Sequence, residues 1–138
     1  MASSPAFVGP PRAEVFSLTT GTNSGEFTAG ISGGIVRRIW AAALTDDAAL
    51  LLTVQLNGLI GSVSIPQSSD LTSVDNGVYG AFYDVLLSNI FPGLSGDDGR
   101  HFEMGASEVL TLVASKSDGS ALDSGSERID VRVTGADY

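Results

Sequence analysis

The sequence predicts an all-β protein: an antiparallel β-sandwich with one short helix and an extended N-terminal arm. Apolar residues alternate with polar ones in several short stretches, glycine-rich turns separate these stretches, and one stretch alone has helical spacing. The 138 residues suffice for one domain with a sizeable core, and the chain has no cysteine. We therefore divide the chain into an arm, residues 1–12, and a sandwich domain, residues 13–138.

The first twelve residues contain three prolines and Gly9. Proline fixes φ and lacks a backbone N–H, so this segment is predicted to be extended and to lie outside a sheet interior. Its apolar side chains need a surface, either on their own domain or on a neighbouring subunit; a frayed terminus is the alternative. The predicted partner-binding residues are Phe7, Val8, Pro10, Pro11 and Arg12.

The segment after the arm contains three strand signals. Residues 14–20 alternate, and residues 21–34 hold five glycines and indicate a loop with a short strand near Phe27. Residues 35–44 are almost entirely apolar, which predicts a central strand that carries Trp40 into the core.

The strongest local signal is a β-hairpin in the middle of the chain. Asn57-Gly58 separates two apolar runs, and this dipeptide supplies the positive φ angles of a tight hairpin turn. Pro66 then ends the pairing. The apolar residues of the two runs are Leu50, Leu52, Val54 and Leu56, then Leu59, Val63 and Ile65.

The second half is less regular. Residues 67–80 are predicted as a polar loop, and residues 81–91 fit both a helical face and a strand, of which we favour a short helix. Residues 108–115 and 128–134 alternate cleanly and predict a second hairpin, joined by a flexible polar connection at 118–126.

Charge restricts the partners. Sixteen acidic residues against seven basic ones give a net charge of −9, and Arg37-Arg38 is the one adjacent basic pair. Nucleic-acid binding depends on clustered Lys and Arg, so a nucleic-acid partner is not expected. The apolar runs fall short of the roughly 20 residues of a membrane span, and the first residues lack the pattern of a secretory signal, so neither a membrane nor secretory export is predicted.

Catalytic patterns are weak. His101 is the sole histidine and no Gly-x-Ser-x-Gly motif accompanies it, so we interpret it as a structural residue. Asp84, Asp97, Asp98 and Glu103 are candidates for a glycosidase-type carboxylate pair, but sixteen carboxylates produce such pairs by chance. We predict no enzyme, no catalytic residue and no cofactor.

Binding motifs are equally sparse. Residues 75–77 and 97–99 resemble fragments of calcium loops but lack alternating oxygen ligands, which favours plain turns, and no metal site is predicted. Residues 30–34 lack the lysine of a phosphate-binding loop and predict a bend. An aromatic sugar-binding platform is the alternative role for Trp40, Tyr79, Tyr83 and Tyr138.

The layout resembles a known family. A proline-rich arm, an acidic sandwich without cysteine and the strand Gly-Ala-Ser-Glu-Val-Leu-Thr-Leu-Val at residues 105–113 resemble the decoration or cement proteins of tailed-phage capsids. The resemblance covers the layout and the final third of the chain. It implies a jelly-roll-like trimer on the capsid exterior, made in the host cytoplasm, with the major capsid protein or other virion subunits as partners.

The functional hypothesis is therefore a virion structural protein that stabilises a shell through contacts between subunits. The arm and exposed loops at 68–79 and 118–126 are expected to make these contacts. One alternative is a single jelly-roll coat subunit or a tail or fibre component, and another is a carbohydrate-binding or adhesive domain.

Overall fold

The computed structural model describes residues 10–56, 58–67, 83–85 and 101–138. Within these residues the chain forms nine strands and no helix. The strands are β1 (Pro11–Leu18), β2 (Ser24–Thr28), β3 (Gly34–Leu44), β4 (Ala49–Leu56), β5 (Leu59–Pro66), β6 (Tyr83–Asp84), β7 (Phe102–Met104), β8 (Val109–Lys116) and β9 (Arg128–Asp137).

The strands form two antiparallel sheets, which confirms the all-β, two-layer prediction. The first sheet has the order β1-β9-β3-β6, with β7 also paired to β3, and the second has the order β2-β8-β4-β5. The pairs are nested along the chain: β4 pairs with β5, β3 with β6 and β7, β2 with β8, and β1 with β9. The described chain is thus a long antiparallel ribbon folded over into two layers.

The core lies between the sheets and follows the alternation of the sequence. Successive side chains of a strand point to opposite faces, so every second residue of β4, β8 and β9 enters the core. The inward residues of these three strands, each at most 4% exposed, are Leu50, Leu52, Val54, Leu56, Leu110, Leu112, Ala114, Ile129, Val131 and Val133. The alternation predicted for these strands is confirmed as one-sided burial.

The central hairpin is also confirmed. Residues of β4 and β5 pair throughout, from Ala49 with Pro66 to Leu56 with Leu59. Gly58 has a φ of 85°, the left-handed conformation that glycine adopts without steric penalty. Asn57 lies outside the described residues.

The second predicted hairpin is wrong. Strand β8 pairs with β2 and β4 in one sheet, whereas β9 pairs with β1 and β3 in the other. The connection between them crosses from layer to layer and buries Leu122 and Glu127. Alternation predicts that each strand has one apolar face, but it does not determine which strands pair. The prediction paired β8 with β9 because they are adjacent in sequence, and this was incorrect.

Trp40 does not enter the core, contrary to the prediction. A register shift between Val36 and Arg38 places Ile39 and Ala41 in the core, so Trp40 points outward from the first sheet. It is half-buried there, with the Arg38 guanidinium 5.6 Å from the centre of its ring. The apolar run alone could not specify which face Trp40 occupies, because residues on both faces of the strand are apolar.

The segment predicted as a short helix is described only at residues 83–85. There Tyr83 and Asp84 pair with Ala41 and Trp40 of β3, which is the strand alternative. The backbone N–H of Val85 donates to the carbonyl oxygen of Ile39 over 2.9 Å. The remaining residues of 81–91, and the loop predicted at 67–80 beyond Gln67, lie outside the described residues.

Candidate partner-binding surface

The predicted partner-binding residues fall into three groups. Phe7 and Val8 lie outside the described residues, and Pro10 is exposed. Pro11 and Arg12 are the first two residues of β1, paired with β9. Because β1 is an edge strand, proline at its start removes no bond from the interior of the sheet. Strand β1 therefore begins at Pro11, two residues before the predicted start of the sandwich domain at residue 13.

Arg12 connects the two sheets at this edge. Its Nη1 donates to Asp137 Oδ1 at 2.7 Å and to the carbonyl oxygen of Thr28 at 2.8 Å, and its Nη2 bonds Glu14 Oε2. The guanidinium also lies 4.3 Å from the ring centre of Phe27. Asp137 and Glu14 belong to the first sheet, while Thr28 and Phe27 belong to the second. One side chain thus holds the start of β1 against β2.

Close packing of β1 on β2 supports this connection. A Cβ at Gly25 of β2 would lie 2.5 Å from Cδ1 of Phe16, so the ring of Phe16 rests against backbone where any side chain would collide. Glycine is required at this approach. The edge from which the arm departs is therefore fixed by packing as well as by charge.

A braced turn between β2 and β3 stands beside Arg12. The N–H of Gly33 and the N–H of Ser107 both donate to the carbonyl oxygen of Gly30, at 3.0 and 2.9 Å. The N–H of Gly30 donates to Asp137 Oδ1 at 3.1 Å, the same oxygen that binds Arg12. At the tip of this turn Ile31 is 87% exposed. The bend predicted at residues 30–34 is confirmed, and it presents an apolar side chain to solvent.

Two further apolar side chains are exposed at this end of the sandwich. Leu59 and Ile60, which follow the hairpin turn, are 47% and 66% exposed. Register places them here, because Leu56 at the turn pairs with Leu110, which pairs in turn with Phe27 near the end of β2. We call the region of Arg12, Ile31, Leu59 and Ile60 the arm end of the sandwich.

The opposite end carries a charged cluster around Lys116. Its Nζ lies 3.0 Å from Asp123 Oδ2, 3.2 Å from Glu127 Oε1 and 3.6 Å from Asp47 Oδ2. Hydrogen bonding to Asp123 and Glu127 raises the pKa of Lys116. A shallow cavity of about 440 Å³ adjoins the cluster, and its lining residues are Asp47, Ala48, Ala49, Lys116, Ser117 and Asp118. We call this region the crossover end.

Glu127 is the buried member of this cluster, with its side chain 3% exposed. Its carboxylate accepts the Thr45 hydroxyl at 2.6 Å and the Asp123 N–H at 2.8 Å. These bonds, the first above all, lower the pKa of Glu127, and Lys116 adds to the effect. The polar segment predicted as a flexible connection is thereby tied to the body of the domain.

The candidate catalytic residues are dispersed. His101 is half-buried before β7, Asp84 binds Arg38 at 2.7 Å, and Glu103 pairs with Ile35 at the other end of β3. In the part of the chain that the structure describes, no group of three or more His, Asp or Glu side chains is placed to hold a metal ion. Residues 75–77 and 97–99 lie outside that part.

The aromatic side chains that the structure describes do not form a row. Trp40 faces outward, while Tyr83 packs against the core from the neighbouring strand. Tyr138 stands at the end of β9, with Cδ2 3.6 Å from the position of a Cβ on Gly33. Tyr79 lies outside the described residues. This arrangement gives the sugar-platform alternative no support.

Sequence reasoning missed the exposed apolar tip at Ile31. Its signal was available, since glycines on both sides of a short apolar residue indicate a tight turn whose central side chains point away from the sheet.

Among the described residues, no helix is long and apolar enough to cross a bilayer. Comparison with known proteins found no matching family model, curated protein or solved structure.

Proposed function

We propose that this protein is a virion structural module, a capsid decoration or cement protein that binds the outside of a shell as a homotrimer. Its partners are the major capsid protein or other virion subunits. It works by presenting shaped surfaces, without catalysis, cofactor or nucleic-acid contact. It is made in the host cytoplasm and resides on the capsid exterior.

The nested strand order is the observation that carries the proposal. With β7 set aside, four strands in the order β1-β9-β3-β6 face four in the order β2-β8-β4-β5. A folded-over ribbon of eight strands in two sheets is the arrangement of a jelly roll, which is common in viral capsid domains and also occurs in lectins and cupins. We therefore propose a jelly roll here. Because a fold hosts many functions, the choice among these classes depends on surfaces.

The arm end supplies the surface argument. Residues 1–9 precede β1, whose start is held in place by the contacts of Arg12. Beside Arg12, Ile31 is exposed on the braced turn. Pro5 lies within residues 1–9 and Pro10 follows them, and each proline restricts the backbone, so such an arm loses less conformational freedom when it docks on a neighbour. Asp137 Oδ1 accepts hydrogen bonds from Arg12 of β1 and from Gly30 of the braced turn. A force on the docked arm would therefore be transmitted through Arg12 to both sheets.

The net charge of −9 agrees with this placement. A surface against packaged DNA needs positive charge to neutralise phosphates, whereas an exterior surface does not. In the proposed location, the acidic surface contacts solvent and capsid subunits and does not contact the packaged DNA.

The test removes residues 1–9 and keeps Pro11 and Arg12, so that β1 retains its first pair. Particles of the virus that encodes the chain, stripped of it, are mixed with the truncated and the full chain and sedimented. We expect the truncated chain to remain in the supernatant with an unchanged far-UV circular dichroism spectrum. A control replaces residues 1–9 with a Gly/Ser segment of equal length. Equal sedimentation of all three forms would refute the role of the arm.

Two outcomes would point to the other functions. Assembly of the purified chain into closed particles would indicate a coat subunit, because a cement protein needs a shell made by another chain. Binding on a glycan array would indicate an adhesive domain.

A further inference from the structure

The outer face of the four-stranded sheet differs from the rest of this acidic molecule. Residues of β2, β8, β4 and β5 that alternate with the core positions point outward, and Glu26 is the sole charged residue among them. Valine, threonine and serine dominate this surface, with Val113 and Thr53 at its centre and Ile60, 66% exposed, at its margin. We call this surface the neutral face.

The outer face of the other sheet is charged by contrast. Arg38 binds Asp84 at 2.7 Å, and Arg128 lies 3.2 Å from Asp130. Arg132 also points outward, opposite Trp40. The lack of charge on the neutral face is therefore a property of one sheet and not of β-strands in this chain generally.

We propose that the neutral face is the surface through which copies of this chain contact one another. The inference rests on the homo-oligomer of the proposed function and names its interface. Two chains of charge −9 repel over most orientations, and the repulsion is weakest between surfaces that each carry a single charge, Glu26, at one edge strand. A neutral face is complementary to a second neutral face, whereas a basic partner would be drawn to the acidic surfaces elsewhere on the chain.

The polar groups of the neutral face suit burial. Thr53 Oγ1 and Ser62 Oγ lie 3.0 Å apart and bond each other across β4 and β5. Hydroxyls that already have a partner are less costly to remove from water than unpaired ones. The remaining side chains, such as Leu51, Val109 and Val113, contribute apolar area to the contact.

The available area approaches that of a specific interface. Four strands about 4.8 Å apart and about seven residues long at about 3.4 Å each span roughly 450 Å² per copy. Two copies would bury about 900 Å² before the relief of the side chains is added, close to the roughly 1,000 Å² that specific interfaces exceed. Around the proposed threefold axis, each neutral face would divide this area between its two neighbours.

The test places the same substitution on both faces and uses the purified chain alone. Val113→Glu puts a carboxylate at the centre of the neutral face, and Val15→Glu puts one on the other sheet, where Val15 is 71% exposed. Sedimentation equilibrium of the wild type over a concentration series should show reversible association. We expect Val113→Glu to weaken it at least about tenfold, because an unpaired charge would be buried, and Val15→Glu to leave it unchanged.

Salt provides a second criterion. Between about 0.1 M and about 1 M NaCl the wild-type association should strengthen, because screening removes the repulsion between two acidic chains while the neutral contact persists. Weaker association at high salt would indicate a contact made by ion pairs and would overturn the proposal.

A probe that leaves the surface uncharged guards against misfolding of Val113→Glu. The chain has no cysteine, so Ser64→Cys gives a single spin-label site on the neutral face and Ala13→Cys gives one on the other sheet. We expect dipolar coupling between copies to be stronger for the label at 64. Stronger coupling at 13, or a wild type that stays monomeric throughout, would refute the proposal. Because no shell is present, neither result depends on capsid binding.

Discussion

Arg12 at the arm end and Lys116 at the crossover end each lie among several carboxylates, and the two side chains bind their partners differently. At the arm end, Arg12 binds Asp137 and Glu14, the carbonyl of Thr28 and the ring of Phe27. At the crossover end, the three partners of Lys116 are all carboxylates. The planar guanidinium satisfies several directional acceptors and a ring face at once, whereas the ammonium acts as a compact charge.

The burial of the partners differs as well. The carboxylates around Arg12 are 36% and 40% exposed. At the crossover end, Asp47 and Asp123 are 58% and 64% exposed, whereas Glu127 is 3% exposed. Water can replace Arg12 as a partner of its carboxylates far more easily than it can reach Glu127. Glu127 at the crossover end is therefore expected to contribute more to folding stability than Arg12, which positions the arm end.

The largest effect is expected for Glu127→Ala. It leaves the Thr45 hydroxyl and the Asp123 N–H without their acceptor, so we expect a loss of about 2–3 kcal/mol in the free energy of unfolding. Urea denaturation measures it. Asp46→Ala, at an exposed carboxylate between β3 and β4, is the control and should change stability by less than about 0.5 kcal/mol. Equal losses in the two variants would contradict this expectation.

A smaller effect is expected for Arg12→Ala. Loss of the charged hydrogen bonds and the ring contact should lower the free energy of unfolding by about 1–2 kcal/mol. Arg12→Lys retains the charge but not the planar guanidinium with its several donors, so we expect its loss of stability to be smaller than that of Arg12→Ala but not zero. Arg37→Ala, at an exposed position, is the matched control. Full recovery by lysine would show that charge alone matters at the arm end.

The smallest effect concerns pH. Hydrogen bonds from Thr45 and Asp123 lower the pKa of Glu127 in the folded chain. The ionised carboxylate therefore stabilises the fold at pH values above the usual pKa of glutamate, about 4.3. This contribution is lost as the pH falls through the lowered pKa. Thermal unfolding between neutral pH and about pH 3 should show the melting temperature of the wild type approaching that of Glu127→Gln as the pH falls. Parallel curves would contradict this origin of the pH dependence.

Local patterns predicted the elements that depend on neighbouring residues. The turn at Gly58 and the alternation of β4, β8 and β9 were correct, because turn chemistry and one-sided burial are both encoded within a few residues. The positions of β2 and β3 followed from the short strand predicted near Phe27, within the glycine-rich segment, and from the apolar run at residues 35–44.

The errors concern features that depend on the rest of the fold. The strands β8 and β9 were paired with each other because they are adjacent in sequence, whereas their partners are β2 and β4, and β1 and β3. Trp40 was assigned to the core, but the register shift in β3 turned it outward. Arg12 was placed in an arm, although two of its three acceptor residues, Thr28 and Asp137, lie 16 and 125 residues away along the chain.

The sequence by itself determined that the chain is an acidic all-β protein with a hairpin at its centre, because alternation, turn residues and charge count are local or additive properties. Only the tertiary structure decided which strands share a sheet, that Arg12 belongs to the domain, and that one face of the sandwich is neutral. These features arise when residues far apart in the chain come together, and no window of sequence contains both partners.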